Sequence, residues 1–301
     1  MTISRAQLAK ELEPGLNALF GLEYDRYEDE AAEIFESESS DRAFEEEVML
    51  SGFGTAPVKS EGSAINFDNA QETYTARYTM ETIALAFSIT EEAVEDNLYD
   101  SLAKRYTRAL ARSMSQTKQI KGATIMNNAF STTSPIGDGA ALCSAAHPSL
   151  SGNQTNLLAT PADLNETSLE EILIQIAGFT DERGLKIAVR GTKLLIPKEL
   201  QFIAERIINS NLRPGSADND INAMKSMGML PEGAVVNHFF TDADAYFVKT
   251  DCPNGFKLFN RTPLKTAMEG DFDTGNMRFK ARERYSFGVS DWRSVFGTPG
   301  A

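Results

Sequence analysis

No proline occurs from Val58 to Ser134, a run of 77 residues. Proline removes a backbone donor and breaks helix interiors and sheet ladders, so its absence permits regular elements of unusual length. The run divides by texture. Residues 48–73 are rich in Gly, Ser, Ala and Asn, with Gly52, Gly54 and Gly62 marking turns or bulges. Tyr74–Ser88, YTARYTMETIALAFS, carries β-branched and aromatic residues in partial alternation and reads as one strand of 15 residues, where about 5–6 is typical. A hairpin with so long a second strand exceeds what one small core covers, and it is expected to project and pair elsewhere. Ser88-Ile-Thr-Glu91 has the form of a capping box, with Glu91 and Glu92 suited to the positive end of a helix. Residues 91–130 then read as helix, with Val94, Leu98, Leu102, Tyr106, Leu110 and Met114 as an apolar i, i+4 stripe and a break allowed near Gly122.

Charge is distributed unevenly. The 301 residues carry a formal charge of −14, which argues against tight nucleic-acid binding. Residues 23–47 hold 12 Asp and Glu against Arg26 and Arg42, so this segment supplies −10 and the rest of the chain only −4. It reads as a solvated acidic helix or an extended arm, yet Tyr24, Tyr27, Ile34, Phe35 and Phe44 are residues that floppy tails rarely carry. Before it, Leu8, Leu12, Leu16, Leu19 and Phe20 lie near helical period, interrupted by Pro14 and Gly15, which predicts a broken helix.

After a loop-like stretch at 131–166 the texture becomes α/β. Ser168-x-x-Glu171 predicts a helix start and Gly178 its end; Leu185–Pro197 reads as a buried strand and Lys198–Ser210 as an amphipathic helix. Ala234–Phe240, Ala245–Lys249, Gly255–Arg261 and Asn276–Asp291 read as further strands.

Chemistry is sparse. Two cysteines, Cys143 and Cys252, give no disulfide framework and fit a reducing cytosol. The N-terminus has no apolar signal core, and no window suggests a membrane span, so synthesis in a cytoplasm and no membrane partner are expected. Cys143-x-x-x-His147 invites a nucleophile-and-base reading, but no third group can be named to orient the base. The same pair lacks the further ligands of a closed zinc site. Asp218-Asn-Asp220, Asp242-Ala-Asp244 and Asp271-Phe-Asp273 fit exposed turns better than a calcium loop. Gly52-Phe-Gly54 has neither the third glycine nor the following helix of a phosphate loop. No catalytic residue, cofactor or metal is expected.

Four segments together resemble a known family: FSITEEAVEDNLYD at 87–100, ALCSAAHPSLSGNQTNL at 141–157, LKIAVRGTKLLIPKELQFIAERIINS at 185–210 and RERYSFGVSDWRSVFG at 282–297. With the order of acidic arm, hairpin, long helix and returning strand, the chain resembles the major head subunits of Mu-like tailed phages and prophages, which have the HK97-type capsid fold. The resemblance implies an α+β chain with an N-terminal arm (1–45) and a peripheral domain (46–160 with 255–301). That domain would carry an extended hairpin at 48–85 and a spine helix at 90–130; an axial domain would span 161–254. It implies pentamers and hexamers closing an icosahedral virion shell around double-stranded DNA, without sequence-specific binding. A separate scaffolding protein and a portal would be partners, with a decoration protein as a further candidate. The lysine, asparagine and glutamate with which some relatives cross-link have no match here. In this reading Phe53, Val58, Ile65 and Phe67 of the hairpin, and Phe20, Phe35 and Phe44 of the arm, anchor neighbouring subunits. The acidic arm would seek Arg105, Arg108, Arg112 and Lys118 on the spine helix of an adjacent copy. A nanocompartment shell on the same fold, and an enzyme using Cys143 and His147, are the alternatives.

Overall fold

The computed structural model describes residues 5–90, 99–213, 220–271 and 274–301. Its frame is a four-stranded sheet in which β8 (Phe256–Gly270) and β9 (Met277–Val289) form a long antiparallel pair. β4 (Glu81–Ile89) adds antiparallel to β9, and β1 (Glu36–Ser39) adds parallel to β8, giving the order β1-β8-β9-β4. Pro263 sits where the β8 register slips against β9, a bulge position that spares the ladder a missing donor.

Along one face of this sheet runs α2 (Tyr99–Asn127), 29 residues or about 43 Å at 1.5 Å per residue. Its first described residue is Tyr99; of the predicted cap, Ser88 and Ile89 belong to β4 and pair with β9, while Glu91, Val94, Leu98 and the Leu102 side chain lie outside the described residues. The buried face is Ala103, Thr107, Leu110, Ala111, Met114, Gln119, Ala123 and Met126, whereas Tyr106 is half exposed. A strict i, i+4 stripe drifts by about 40° per step on a helix of 3.6 residues per turn, so spacings of three and four must alternate to hold one face. The helix does not break at Gly122. A Cβ there would stand 3.1 Å from Ala31 Cβ and 3.5 Å from the Phe35 ring, so the glycine admits a neighbouring segment.

α1 (Arg5–Tyr24) is one helix through Pro14 and packs along α2, where the sequence predicts a break. Leu16 and Phe20 bury themselves in the contact, and tertiary packing of a helix face outweighs a local propensity penalty.

The predicted 15-residue strand is two strands. β3 (Glu72–Thr79) pairs with β2 (Phe44–Leu50) as the hairpin, and β4 begins at Glu81 in the main sheet. Met80 marks the change, its amide donating to Ala43 O. Inward residues are even-numbered up to it (Ala76, Tyr78, Met80) and odd-numbered after it (Ile83, Phe87, Ile89). The hairpin therefore runs from 44 to 79, joined by residues 51–71 without regular structure.

A second sheet has the order β10-β7-β5-β6, from β5 (Gly191–Pro197), β6 (Ala234–Asn237), β7 (Tyr246–Thr250) and β10 (Val295–Thr298). α3 (Glu166–Ala177) and α4 (Gln201–Asn209) cover it, with a short α5 (Ala223–Ser226) beside α4. α3 is capped by Asn165, whose Oδ1 accepts from Ser168 N at 2.8 Å while Ser168 Oγ accepts from Asn165 N, so the helix starts before the predicted Ser168 cap. Trp292 and Phe296 lie in this second core. The stretch 255–301 thus supplies strands to both sheets.

Candidate assembly surface

The acidic segment is stitched to its own body. Asp29 accepts from Gln119 Nε2 at 2.7 Å and lies 3.8 Å from Lys118 Nζ. Glu30 receives His238 N at 2.8 Å and Nδ1 at 2.7 Å. Lys193 Nζ holds Glu33 at 2.8 Å and Glu232 at 2.9 Å, and Lys249 Nζ donates to Ile34 O at 2.8 Å. Lys257, buried on the sheet, reaches Glu38 at 3.1 Å and also Glu47. Burial works against the charge on Lys193 and on Lys257, but the hydrogen bonds they donate to their glutamates, with the carboxylate charges, outweigh it and leave both pKa values raised. Lys249 goes the other way, lowered by burial and then by the nearby Lys193 charge.

These ties drive the apolar residues of the segment inward. Ile34 and Phe35 fill the first core, Phe35 edge-on to Phe256 at 5.4 Å and to Phe287 at 4.8 Å. Phe20, 1% exposed, meets Phe279 at 6.3 Å. Phe20 and Phe35, expected to anchor neighbours, instead have no surface left to offer, because their own chain supplies the apolar wall they need. Lys118 likewise finds its carboxylate within the chain, and Arg112 lies 5.9 Å over the Tyr27 ring. Arg105 and Arg108 stay exposed, with no ion pair among the described residues.

The hairpin behaves otherwise. Its root is locked: Tyr78 packs on Phe259 at 4.8 Å and over Gly288, where a Cβ would collide with the ring. Tyr78 Oη, Ser290 Oγ, Glu47 and Lys257 form one hydrogen-bonded chain beneath it. Sequence reading missed this lock, since Tyr78, Glu47 and Lys257 are far apart in the chain and carry no motif. Beyond the root, Phe44 is stacked under Arg77 at 4.1 Å and part exposed. At the tip Phe53 and Ile65 are exposed, Val58 is 98% exposed and Phe67 97%. Among the described residues, Asp68 and Asn69 tie the tip's return leg to the body through Arg183.

The Cys143–His147 pair is part of the core. His147 Nδ1 meets Asp138 Oδ2 at 2.6 Å and Nε2 meets Asn156 Oδ1 at 3.0 Å, while the ring stacks on Trp292 at 4.4 Å. Asn156 Nδ2 reaches the carbonyls of Leu142, Val295 and Trp292 at 2.8, 3.1 and 3.2 Å. Cys143 is buried, its thiol pushed far up by desolvation, and its neighbourhood holds no base turned toward it. A thiol held neutral and out of solvent is a poor nucleophile. A cleft of about 560 Å³ at the hairpin root is lined by residues such as Arg77, Tyr78, Asn128 and Phe287, with no acid, histidine or cysteine. No group of three potential metal ligands and no helix suited to crossing a membrane occurs among the described residues; Asp218 and Asp273 lie outside them.

A family model described as phage capsid protein matches residues 73–297. No curated protein matches the chain. Three solved structures resemble it across nearly its whole length. A virus-like particle from Pyrococcus furiosus gives a TM-score of 0.53 at 9% identity, over 94% of this chain and 97% of that one. Mycobacterium phage Adephagia gives 0.54 at 12%, over 91% of each. The capsid of Myoviridae phage XM1 gives 0.52 at 10%, over 89% of each. At such identities the likeness is one of fold.

Proposed function

The chain belongs to the phage capsid protein family and has an HK97-like α+β fold, and from that premise we propose that it is the major head subunit of a tailed phage. In this reading copies assemble into pentamers and hexamers that close an icosahedral virion shell around double-stranded DNA after synthesis in the host cytoplasm. The first sheet with α2 and the hairpin is the peripheral part and the second sheet with its helices the axial part. A scaffolding protein, a portal and a decoration protein are the partners the reading calls for, and Mu-like phages the kin to which four sequence segments point.

One observation carries it: Val58 and Phe67 stand almost wholly in water on a hairpin whose root is locked. Burying a valine or phenylalanine side chain yields about 1.5–3 kcal/mol, so a tip left bare is completed by another copy. Phe44, Phe53, Ile65, Arg105 and Arg108 remain the proposed neighbours of that contact. The test is electron microscopy of the expressed chain with its scaffolding protein. Closed shells are expected from the parent, and soluble, folded subunits from Val58→Ser with Phe67→Ser. A parent that stays monomeric under those conditions overturns the reading.

A further inference from the structure

β9 carries positive charge on one face only. Arg278, Lys280, Arg282 and Arg284 alternate with Phe279, Ala281, Glu283 and Tyr285, which turn toward α2 and the core. Residues two apart on a strand lie about 6.6–6.8 Å apart on the same side. Lys265 of β8 stands directly across from Arg282 and adds to the row. On the other flank β4 presents exposed Ala84 and Ala86 opposite Arg282 and Lys280, while on β8 the exposed Glu269 stands across from Arg278 at the end of the row.

The same face is treated differently where it is covered. The hairpin root sits on it over Gly288, and there the buried Lys257 is matched by Glu38 and Glu47. Past the root the matching stops. Arg278 pairs with Asp271, but among the described residues Lys265, Lys280, Arg282 and Arg284 make no ion pair, and Arg284 Nε is buried without a partner. Like charges directly across a ladder destabilise a sheet. A chain with 43 acidic residues and a formal charge of −14 leaves this repulsion in place.

We propose that this open half of the sheet face is a docking strip for the phosphodiester backbone of double-stranded DNA, and that the face turns toward the shell interior. The inference rests on the head-subunit reading and deepens it. Even spacing along β9 beside the small side chains of Ala84 and Ala86 suits a regular polyanion. A peptide partner needs anchoring pockets, and the flanking Ala84 and Ala86 provide none. With about four phosphates engaged the contact is weak and salt-sensitive, which lets packed DNA move.

The test uses the full chain and a fluorescent 30-base-pair duplex followed by anisotropy. Binding is expected to be indifferent to sequence and to fall about a hundredfold between 50 and 200 mM salt, from a slope of about 0.9 per phosphate. Lys280→Gln with Arg282→Gln is expected to weaken it at least about tenfold and to flatten the salt slope by about two. Because these changes relieve cross-strand repulsion, the thermal midpoint should not fall. Lys186→Gln with Arg190→Gln, exposed before β5, should leave binding unchanged. Equal loss in that control variant, full binding by the strip variant, or no binding at 25 mM salt overturns the proposal. So does preference for a peptide of residues 23–47 over DNA, which would make the strip a contact between copies. Shell formation is scored separately by microscopy: shells that form while DNA binding fails overturn the strip alone, and no shells from the parent overturn the head-subunit reading.

Discussion

Glu283 shows how a single buried side chain can work against its own fold. It lies in the first core, with Tyr24 Oη donating to Oε2 at 3.3 Å and Oε1 left without a partner. Burial raises its carboxyl pKa, more than the Lys118 charge lowers it. A folded-state value above the unfolded one means the unfolded chain loses its proton first, near pH 4.3. Stability is then free of the penalty below that pH and falls as pH rises through the folded value. Glu283→Gln keeps an acceptor for Tyr24 and is expected to raise the thermal midpoint at pH 7, with the gain gone below about pH 4; midpoints recorded from pH 3.5 to 8 check it. Asn156 has the opposite character. Its amide serves three carbonyls and accepts from Ser144 N and from His147, joining the 141–157 segment to Trp292 and Val295. Asn156→Ala strands several buried groups, and a loss of about 3 kcal/mol or more in denaturant unfolding is expected. The sequence offered His147 and Cys143 as neighbours at a four-residue spacing; it held no sign that the histidine's partners were Asp138 and Asn156, because these meet only through loop geometry.

At the scale of elements, the hairpin is a locked root carrying an unlocked tip. Gly288 is the point where the Tyr78 ring and the sheet come closest. Gly288→Ala is expected to lift the root, breaking the link from Tyr78 through Ser290 to Glu47, and to speed protease cleavage within residues 44–79 while cleavage elsewhere stays as in the parent. Unchanged cleavage there would show that the root tolerates the shift. Much of this level was readable in advance. The long helix, α4 and the β9 alternation follow from period and composition. The split at Met80 was readable too, since inward parity changes from even to odd across it, but two strands that abut look like one when alternation is only partial. α1 was misjudged because Pro14 is a local signal and its contact with α2 is not local.

For the whole molecule, the decisive matter is which segments close on themselves. The acidic arm does. Its carboxylates are met by Lys118, Lys193, His238 and Lys257 and its Ile34 carbonyl by Lys249, positions scattered from 118 to 257, so the composition of residues 23–47 told its sign but not its destination. Phe35→Ala removes an aromatic ring from the place where that arm enters the core and is expected to cost about 3–5 kcal/mol, read as a lowered urea midpoint. Salt separates the ties further. Part-exposed pairs such as Asp29–Lys118 weaken on going to 1 M salt, whereas those of the buried Lys193 and Lys257 are screened less. Hydrogen exchange at 1 M salt should therefore leave residues 33–39 protected; their release would mean that surface charge alone holds the arm.

The arm's Glu36–Ser39 strand forms one edge of the main sheet and β4 the other among the described residues. β1 has 4 residues and β4 has 9, so a strand arriving from outside finds the longer template at β4. Whatever adds there lies next to Ala84 and Ala86, within a side chain's reach of the arginines, so a visitor's backbone and its charge are judged at the same spot.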